Sequence, residues 1–405
     1  MKVLKIIIVS FFLLYYLEVF SFKGLETYSD LMHYLLLGVC FGSAVVFAFV
    51  ARFPKTTIPL YLFGVAFPLV AALQSSLVFG QSFFLGVASL RYEIYVFFAL
   101  FLILIDYPFE TMVRHVNILN LIIAVAAIIA FYFLKIDNVS ITTFLVDNEV
   151  VDISLDENAF KMKGRFLTTC SNLMVFSYIY YMIQLLKKVT LKNAVCFAIL
   201  MFYLLFVHKG RMPVAFLAII FMLYYFRMKR LTPKKLLFSL IPVSILLFVI
   251  LFGSSYLTRF SAIFQGLESQ DFSTQMRLES LTSVLPYIAK HPFLGVGNLS
   301  WQYQYSGFQA IFGKGFFIAD IGIFGSLFVG GLFLIAIYTW LYIRMRKNLG
   351  ALRLDTPYVA YLMFLIDYYL IQFLLLGEPM MLANCMSFAI IYYPLFAFKR
   401  PMNLR

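Results

Sequence analysis

The sequence predicts an all-α polytopic membrane protein with about twelve transmembrane helices and one large helical loop between spans 9 and 10. Of its 405 residues, 63% are hydrophobic and 13% are charged, whereas a soluble domain carries about 25% charged residues. Stretches such as 4–19, 118–134 and 236–252 are nearly uncharged and long enough to cross about 30 Å of hydrocarbon. We therefore treat 1–405 as a single integral membrane domain.

The spans follow one another along the chain with short polar connections. The first one lacks a small-residue cleavage site after it, so we expect a retained helix rather than a removed signal peptide. The fourth and eighth are short, which favours a tilted or partly re-entrant course. The approximate span cores are 4–22, 31–51, 58–80, 90–105, 116–134, 166–186, 191–207, 212–226, 236–252, 317–343, 356–376 and 380–398.

The positive charges predict the orientation. If the N-terminus is cytoplasmic, the cytoplasmic segments hold 20 of the 32 lysines and arginines, the densest run being 227–235. Positive charge stays on the cytoplasmic side, so both termini are predicted to be cytoplasmic. The net charge of +13 then reflects topology and anionic lipid, and no nucleic acid partner is expected.

Two long polar connections face outward in this topology, at 135–164 and 253–316. Connections without a role are usually short, so we expect the chemistry on this face. The first is acidic, with carboxylates at Asp137, Asp147, Glu149, Asp152, Asp156 and Glu157. Walker, Rossmann and HExxH patterns are absent from the sequence, and the four cysteines lie at unrelated spacings. No metal site and no cofactor are therefore expected.

Arginines recur on the outward side, where positive charge is disfavoured. They are Arg165, Arg211, Arg259 and Arg277. The guanidinium fork matches phosphate oxygens and keeps its proton, so the set favours binding of a lipid-linked phosphate or pyrophosphate. Contact with phospholipid headgroups, or ion pairs with the acidic loop, is the simpler alternative for any one of them.

Four segments on the outward side together form a recognisable pattern. Arg277-Leu-Glu279 leads through a predicted amphipathic helix to His291-Pro-Phe-Leu-Gly295-Val-Gly297, which is similar to the Arg and His-Pro-x-x-Gly-x-Gly pattern of the O-antigen ligase and polymerase superfamily. The other three matching segments are Gly164-Arg165 with Asn172, Lys209-Gly-Arg211, and Asp320-Ile-Gly322-Ile-Phe-Gly325. The resemblance covers about residues 160–345 and implies that the large loop is periplasmic, in a bacterial inner membrane.

One segment departs from the ligase pattern. Ligases of this family usually carry a His-Asn pair shortly before the acidic-x-Gly motif, but here residues 308–317 read Phe-Gln-Ala-Ile-Phe-Gly-Lys-Gly-Phe-Phe. The resemblance therefore favours a polymerase that joins lipid-linked repeat units into O-antigen, capsular or exopolysaccharide. Transfer to lipid A core or protein by a ligase stays as the alternative.

The resemblance implies a glycosyltransferase whose donor is an undecaprenyl-pyrophosphate-linked oligosaccharide, with membrane lipid and a chain-length regulator as further partners. Fixed cations would stabilise the leaving pyrophosphate, and a carboxylate or histidine would position the acceptor hydroxyl. His291 also fits a simple helix end, and the two glycines fit turn flexibility. The candidate catalytic residues are Arg211, Arg277, Glu279, His291 and Asp320; the candidate substrate-binding residues are Arg165, Asn172, Lys209, Arg259, Gly295 and Gly297.

Two other classes remain open from the sequence. A flippase or transporter of lipid-linked sugars often has twelve spans, but it predicts balanced halves, which this chain lacks. A non-catalytic channel or scaffold would tolerate loss of the outward arginines. Asp367 lies within a predicted span, where an ionisable group often marks function, yet we expect it to make a structural hydrogen bond.

Overall fold

The computed structural model describes thirteen stretches of the chain, and the contacts and distances given for the protein belong to these residues. The stretches are 2–17, 26–50, 57–133, 144–146, 149–151, 171–207, 217–220, 272–305, 307–313, 316, 318–349, 356–376 and 382–397.

Most described residues lie in helices, numbered in chain order. The N-terminal half contains α1 (Lys2–Tyr16), α2 (Glu26–Val50), α3 (Ile58–Phe79), α4 (Phe83–Ser89), α5 (Arg91–Leu104), α6 (Phe109–Tyr132), α7 (Ser171–Lys187) and α8 (Leu191–Val207). The C-terminal half contains α9 (Phe272–Lys290), α10 (Phe308–Phe312), α11 (Ile323–Leu349), α12 (Thr356–Leu376), α13 (Leu382–Tyr392) and α14 (Pro394–Ala397). Short 3-10 turns lie at Tyr303–Tyr305 and Ile318–Ile321.

The helical membrane class is confirmed for the described residues. Four helices are long and apolar enough to cross a membrane, namely α2, α3, α6 and α11, and α4 with α5 makes a fifth if this bent pair is one span. Helices α1, α7, α8 and α12 are apolar but shorter. The number of about twelve stays a prediction, because the predicted span 236–252 and most of 212–226 lie outside the described residues.

A short hairpin departs from the all-α prediction. Strands β1 (Phe144–Val146) and β2 (Glu149–Val151) pair antiparallel in the connection predicted to be an acidic outward loop. Phe144, Val146, Val150 and Val151 are of residue types that are enriched in strands. The polar remainder of that connection hid this local pattern at the level of the whole sequence.

Helix α3 and the α4–α5 pair pack closely through glycines. A β-carbon at Gly64 of α3 would lie 2.8 Å from the Phe97 ring, and one at Gly86 of α4 would lie 2.9 Å from the Ala72 Cα. A π-helical turn at Leu62–Ala66 precedes Pro68 in α3. Proline has no N–H for the carbonyl four residues earlier, which accounts for the widened turn.

The α4–α5 pair explains the short fourth span. The chain bends by 48° between Phe83–Ser89 and Arg91–Leu104, so the predicted span 90–105 is the second half of a broken element. A broken span or a re-entrant segment both have this form, as expected from the length. Such irregular backbone persists in a membrane protein only where protein surrounds it.

Helix α6 begins earlier than the predicted fifth span. The expected core was 116–134, with 106–115 as a loop, but the helix begins at Phe109 after an extended Pro108. Residues 109–115 are polar enough to lower the hydropathy without breaking the helix. Helix formation continues beyond the apolar core because every peptide group added gains a backbone hydrogen bond.

Buried amides join α6 to α7. The Asn120 amide donates to the Leu173 carbonyl and to the Ser177 hydroxyl, both at 2.8 Å. The Ser177 hydroxyl donates to the Asn117 carbonyl oxygen at 2.6 Å. Hydrogen bonds between polar side chains stabilise helix pairs where the surroundings offer no water.

An ion pair joins α11 to α12. The Arg346 guanidinium donates to the Asp367 carboxylate, and its Nε donates to the Tyr342 hydroxyl at 3.1 Å. Asp367 thus has a direct structural partner, which agrees with the expectation of a structural role.

Candidate functional site

Helix α9 carries the first part of the predicted motif. It spans Phe272–Lys290, so Arg277 is its sixth residue rather than its first. The helix continues through Pro286 and finishes with the His291 amide donating to the Tyr287 carbonyl at 2.8 Å. The structure therefore confirms a helix between Arg277 and His291 and moves its start one turn earlier.

The motif turn, defined as residues 291–297, is built into helix α11. Gly331 interrupts α11 with φ 59° and ψ −158°, so the helix is broken in its first third. Across the break, the backbone donates to and accepts from the motif turn instead of bonding within the helix. The four bonds are Val296 N to Phe328 O (2.8 Å), Gly297 N to Val329 O (2.9 Å), Leu332 N to Pro292 O (2.8 Å) and Phe333 N to Phe293 O (2.9 Å).

These four bonds replace two missing hydrogen bonds of the helical ladder. In an unbroken α-helix the amides of Leu332 and Phe333 would donate to the carbonyls four residues earlier, at Phe328 and Val329. The break separates both pairs, and the motif turn supplies a partner to every one of the four groups. Unpaired backbone groups are costly in a membrane, so the turn is what makes the break tolerable.

Three glycines permit this close contact. A β-carbon at Gly295 would lie 2.5 Å from the Val329 carbonyl, and one at Gly331 would lie 2.5 Å from the Phe293 carbonyl carbon. At Gly297 it would lie 2.0 Å from the Ala71 carbonyl oxygen of α3. All three also have positive φ, at 65°, 59° and 82°. The expected role of Gly295 and Gly297 as flexible turn residues is thereby sharpened: they allow backbone to touch backbone.

The last three residues of the motif turn, 295–297, lie inside the helical bundle. Gly331 is eight residues from the start of α11, and Ala71 is eight residues from the end of α3. At 1.5 Å per residue both positions lie about 12 Å from the helix ends. Val296 is fully buried there. The predicted outward loop 253–316 thus includes a segment that inserts between α3 and α11.

Gln81 fixes the next part of the loop to the α3–α4 connection. Its amide nitrogen donates to the Ser75 hydroxyl and to the Asn298 carbonyl, both at 3.0 Å. Its carbonyl oxygen accepts from the Ser300 amide at 2.7 Å. The Asn298 side chain also donates to the Ser89 hydroxyl at 3.4 Å, at the α4–α5 break. Gln81 is buried, so each of its contacts replaces water.

The segment between the motif turn and α11 folds as an aromatic cluster. Phe308 lies 5.2 Å from Phe328 between ring centroids, and Phe312 stacks on Phe316 at 4.6 Å. Tyr287 of α9 meets Phe312 edge-on at 5.5 Å. Phe308 and Phe316 are buried. The residues that stand where ligases usually carry a His-Asn pair are here part of a hydrophobic core.

The acidic-x-Gly-x-x-Gly segment forms a tight turn before α11. Asp320 lies in the 3-10 turn Ile318–Ile321, which packs against α9. Gly322 has φ 61°, and a β-carbon at Gly325 would lie 2.6 Å from the Ile318 carbonyl oxygen. The two glycines therefore let this turn fold back on α11, and they bring the backbone of Asp320 next to the helix of Arg277 and Glu279.

The structure places some of the predicted site residues and leaves others open. Glu279 is exposed on α9, and His291 is half-buried with no side-chain hydrogen bond to the described residues. The structure describes only the backbone of Arg277, Asp320 and Asn172. The predictions for Arg165, Lys209, Arg211 and Arg259 lie outside the described residues.

Sequence reasoning missed the partners of the motif turn. Gln81, Ser89 and Gly331 carry no recognised pattern, although the pair Gly330-Gly331 inside an apolar span was a visible sign of a break.

Within the described ranges no group of three or more His, Cys, Asp or Glu is arranged to hold a metal ion.

Fold and site define a multi-pass helical membrane protein in which the motif turn makes hydrogen bonds to the backbone groups exposed by the break in α11. Residues 196–339 match the family described as O-antigen ligase, Wzy_C. This match is consistent with the O-antigen ligase and polymerase superfamily that the motifs of this chain resemble. Members of this family are glycosyltransferase-like enzymes acting on lipid-linked glycans. No curated protein matches the chain.

The matched range bears on which candidates the family supports. It contains Lys209, Arg211, the motif turn, Asp320 and the break at Gly331. It excludes Arg165 and Asn172, and also α1 to α7, so the partners of the motif turn on α3 and α4 come from outside the recognised domain.

Proposed function

We propose that this protein is a polymerase that joins undecaprenyl-pyrophosphate-linked oligosaccharide repeat units into O-antigen, capsular or exopolysaccharide. The reaction takes place at the outer face of the bacterial inner membrane, with both termini cytoplasmic. The observation that carries the choice of polymerase is the aromatic cluster of Phe308, Phe312 and Phe316.

That cluster occupies the segment in which ligases of the family usually carry a His-Asn pair. A buried phenylalanine offers neither a proton acceptor nor a hydrogen bond to an incoming hydroxyl. Its contribution is packing, since its rings contact α9 through Tyr287 and α11 through Phe328. This supports a site that accepts a second lipid-linked unit without the ligase pair.

The proposed chemistry is transfer at an anomeric carbon. The acceptor hydroxyl oxygen attacks that carbon, the bond to the pyrophosphate breaks, and the polyprenyl pyrophosphate leaves with the bonding electrons. The hydroxyl proton passes to a nearby base, for which Glu279, His291 and Asp320 are the candidates. Arg165, Arg211 and Arg277 are the proposed cations for the charge that develops on the leaving group, with Lys209, Arg259 and Asn172 as further substrate contacts.

The ligase is the second candidate, because the family that matches residues 196–339 is described by that activity. The two are separated by the acceptor. Full-length protein in proteoliposomes would receive lipid-linked repeat units together with lipid A core. A ladder of lengthened glycan on the polyprenyl lipid supports the polymerase, glycan on lipid A core identifies a ligase, and altered sidedness without lengthening identifies a flippase.

The phosphate-clamp part of the proposal has its own test. Arg211→Ala and Arg277→Ala are expected to abolish long-chain polysaccharide, since each removes a charge-assisted contact to the leaving group. Glycan length is read on gels of cell extracts, and membrane insertion is checked in the same cells. Arg114→Ala serves as the matched control, because Arg114 is exposed on α6. Wild-type chain lengths in both variants would contradict the proposal that Arg211 and Arg277 bind the leaving pyrophosphate.

A further inference from the structure

Of the described arginine side chains, only Arg91 lies at the end of the bundle that holds the motif turn. The described side chains of this type are Arg91, Arg114, Arg344 and Arg346. Arg114 lies near the start of α6, and the other two lie near the end of α11. Since α5 runs away from the motif turn and α6 returns from the far side, those three lie at the opposite end of the bundle.

The Arg91 guanidinium is held from one side by a buried histidine. Its Nε donates to His33 Nε2 at 3.0 Å, and one terminal nitrogen donates to the Tyr92 hydroxyl at 3.4 Å. The group also lies 5.1 Å from the centroid of the Tyr92 ring. Among the described residues no carboxylate pairs with it. Of its five N–H donors, most remain for another acceptor.

His33 is itself fixed by two tyrosines. Its Nδ1 lies 3.0 Å from the hydroxyls of both Tyr15 and Tyr95, and the Tyr95 hydroxyl donates to the His33 carbonyl at 3.1 Å. The residue is 3% exposed. Because arginine has only donors, Nε2 must accept, so the ring proton belongs on Nδ1 and the imidazole is neutral. The positive charge of Arg91 is thus oriented by His33 but not neutralised by it.

Arg91 is close along the chain to a contact with the loop that follows the motif turn. Arg91 follows the α4–α5 break, two residues after Ser89, whose hydroxyl accepts from Asn298 of the loop. A cation in a membrane protein is costly unless it has a partner or serves a substrate. The half-buried guanidinium keeps N–H donors that the described residues do not use, so it can bind an anion on its open side.

We propose that Arg91 binds a phosphate group of the polyprenyl-pyrophosphate-linked substrate, and that His33 is its positioning residue. The identity of the substrate rests on the proposed function, whereas the unused N–H donors of Arg91 are observed independently of it. A phospholipid headgroup offers the same chemistry, so the test must separate the two sources.

The experiment uses full-length protein in phosphatidylcholine nanodiscs and geranylgeranyl pyrophosphate as the probe. Arg91→Gln is expected to weaken binding about tenfold or more, since it removes a charge-assisted hydrogen bond to the phosphate. Arg91→Lys keeps the charge and should lose less. Arg114→Gln, the same change at the opposite end, should bind as the wild type. Unchanged binding in Arg91→Gln overturns the proposal.

Phosphatidylglycerol added to the nanodiscs distinguishes the source. The proposal expects it to leave probe binding unchanged. If it displaces the probe from the wild type and Arg91→Gln abolishes that competition, the site is a general headgroup site and the assignment to the substrate is overturned.

The positioning role of His33 is tested by rescue. Gln at this position offers an acceptor to Arg91 and donors to the tyrosines, whereas Leu offers neither. His33→Gln should keep most of the probe affinity and His33→Leu should resemble Arg91→Gln, with elution as a single species confirming folding. Should His33→Leu not fold, Arg91→Gln and Arg91→Lys still decide the matter. Equal affinity in the two His33 variants contradicts positioning.

Failure of this inference differs from failure of the proposed function. If the wild type lengthens glycan and Arg91→Gln does so with an unchanged KM for the lipid-linked donor, Arg91 has no substrate role. If the wild type produces no polymer while Arg91→Gln weakens probe binding, the proposed function is wrong and the phosphate site stands.

Discussion

Two interrupted helices meet at the motif turn, and they are held in different ways. At Gly331 in α11 the break is repaired by four backbone hydrogen bonds, and glycines leave room for them. At Leu90, between α4 and α5, side chains hold the bend, with Gln81 and Ser89 contacting the loop and Arg91 anchored to His33. Where backbone groups make the contacts, as at Gly331, even an added β-carbon should disrupt them. Where side chains make the contacts, as near Leu90, each contact can be changed separately by substitution.

This difference distinguishes motif residues with a structural role from charged residues that could take part in the reaction. Gly295 and Gly297 of the family motif serve the repaired break in α11, and the His291 backbone ends α9. Arg91, which has no carboxylate partner among the described residues, lies at the other break, on a helix outside the matched range 196–339. The motif turn therefore has a structural role in the bundle. The charged groups near it are the candidates for contact with substrate.

The largest expected effect comes from filling the backbone-held break. Gly297→Ala and Gly331→Ala each combine a left-handed backbone with contacts at 2.0 Å and 2.5 Å, and each should cost more than about 3 kcal/mol. We expect loss of monodisperse protein on size-exclusion chromatography. Gly80→Ala is the matched control, because its φ is 72° but nothing lies within 4 Å; it should cost about 1 kcal/mol. Equal melting temperatures for Gly297→Ala and Gly80→Ala would refute the role of close contact.

An intermediate effect is expected at the side-chain-held break. Gln81→Leu leaves the buried Ser300 amide and Asn298 carbonyl without their partner, at a cost of about 1–3 kcal/mol for an unsatisfied group. The melting temperature should fall while the protein still folds, and glycan length should shorten because the loop loses its anchor. Gln302→Ala, an exposed glutamine of the same loop, should change stability by less than about 0.5 kcal/mol. A Gln81→Leu variant as stable as Gln302→Ala would show that the loop is held elsewhere.

The smallest effect is expected at the far end of the bundle. Asp367→Asn removes the carboxylate that accepts from Arg346, and polar contacts between membrane helices contribute about 1 kcal/mol. We expect a slightly lower melting temperature and normal glycan length. Asp367→Leu combined with Arg346→Met should recover stability, since no charge is then left unpaired. Loss of polymer without loss of stability in Asp367→Asn would assign this pair to the reaction instead.

The sequence carried much of the helical framework. The predicted spans 58–80, 191–207 and 356–376 coincide with α3, α8 and α12 within one residue at either end, because uninterrupted apolar length is a local property. The helix before His291 was also predictable from its apolar spacing. The hairpin at 144–151 and the early start of α6 were not, since short strand pairing and polar helix turns barely change a hydropathy profile.

The candidate site was predictable only in part. The glycines of the motif turn and of the segment after Asp320 stand out by spacing alone, but their reason does not. Gln81 contacts Asn298 across 217 residues, and Arg91 contacts His33 across 58 residues. No periodicity connects such positions, and each residue by itself is an ordinary polar side chain at the edge of an apolar span.

The amino-acid sequence by itself determined that this is a helical membrane protein whose residues 196–339 match the O-antigen ligase family. Apolar length, charge placement and motif spacing are all properties that the chain carries before it folds. Only the tertiary structure decided that the motif turn repairs the break in α11, and that His33 orients the charge of Arg91. Those facts depend on which distant groups satisfy each other where water is absent, because an unpaired backbone group or charge there costs several kcal/mol.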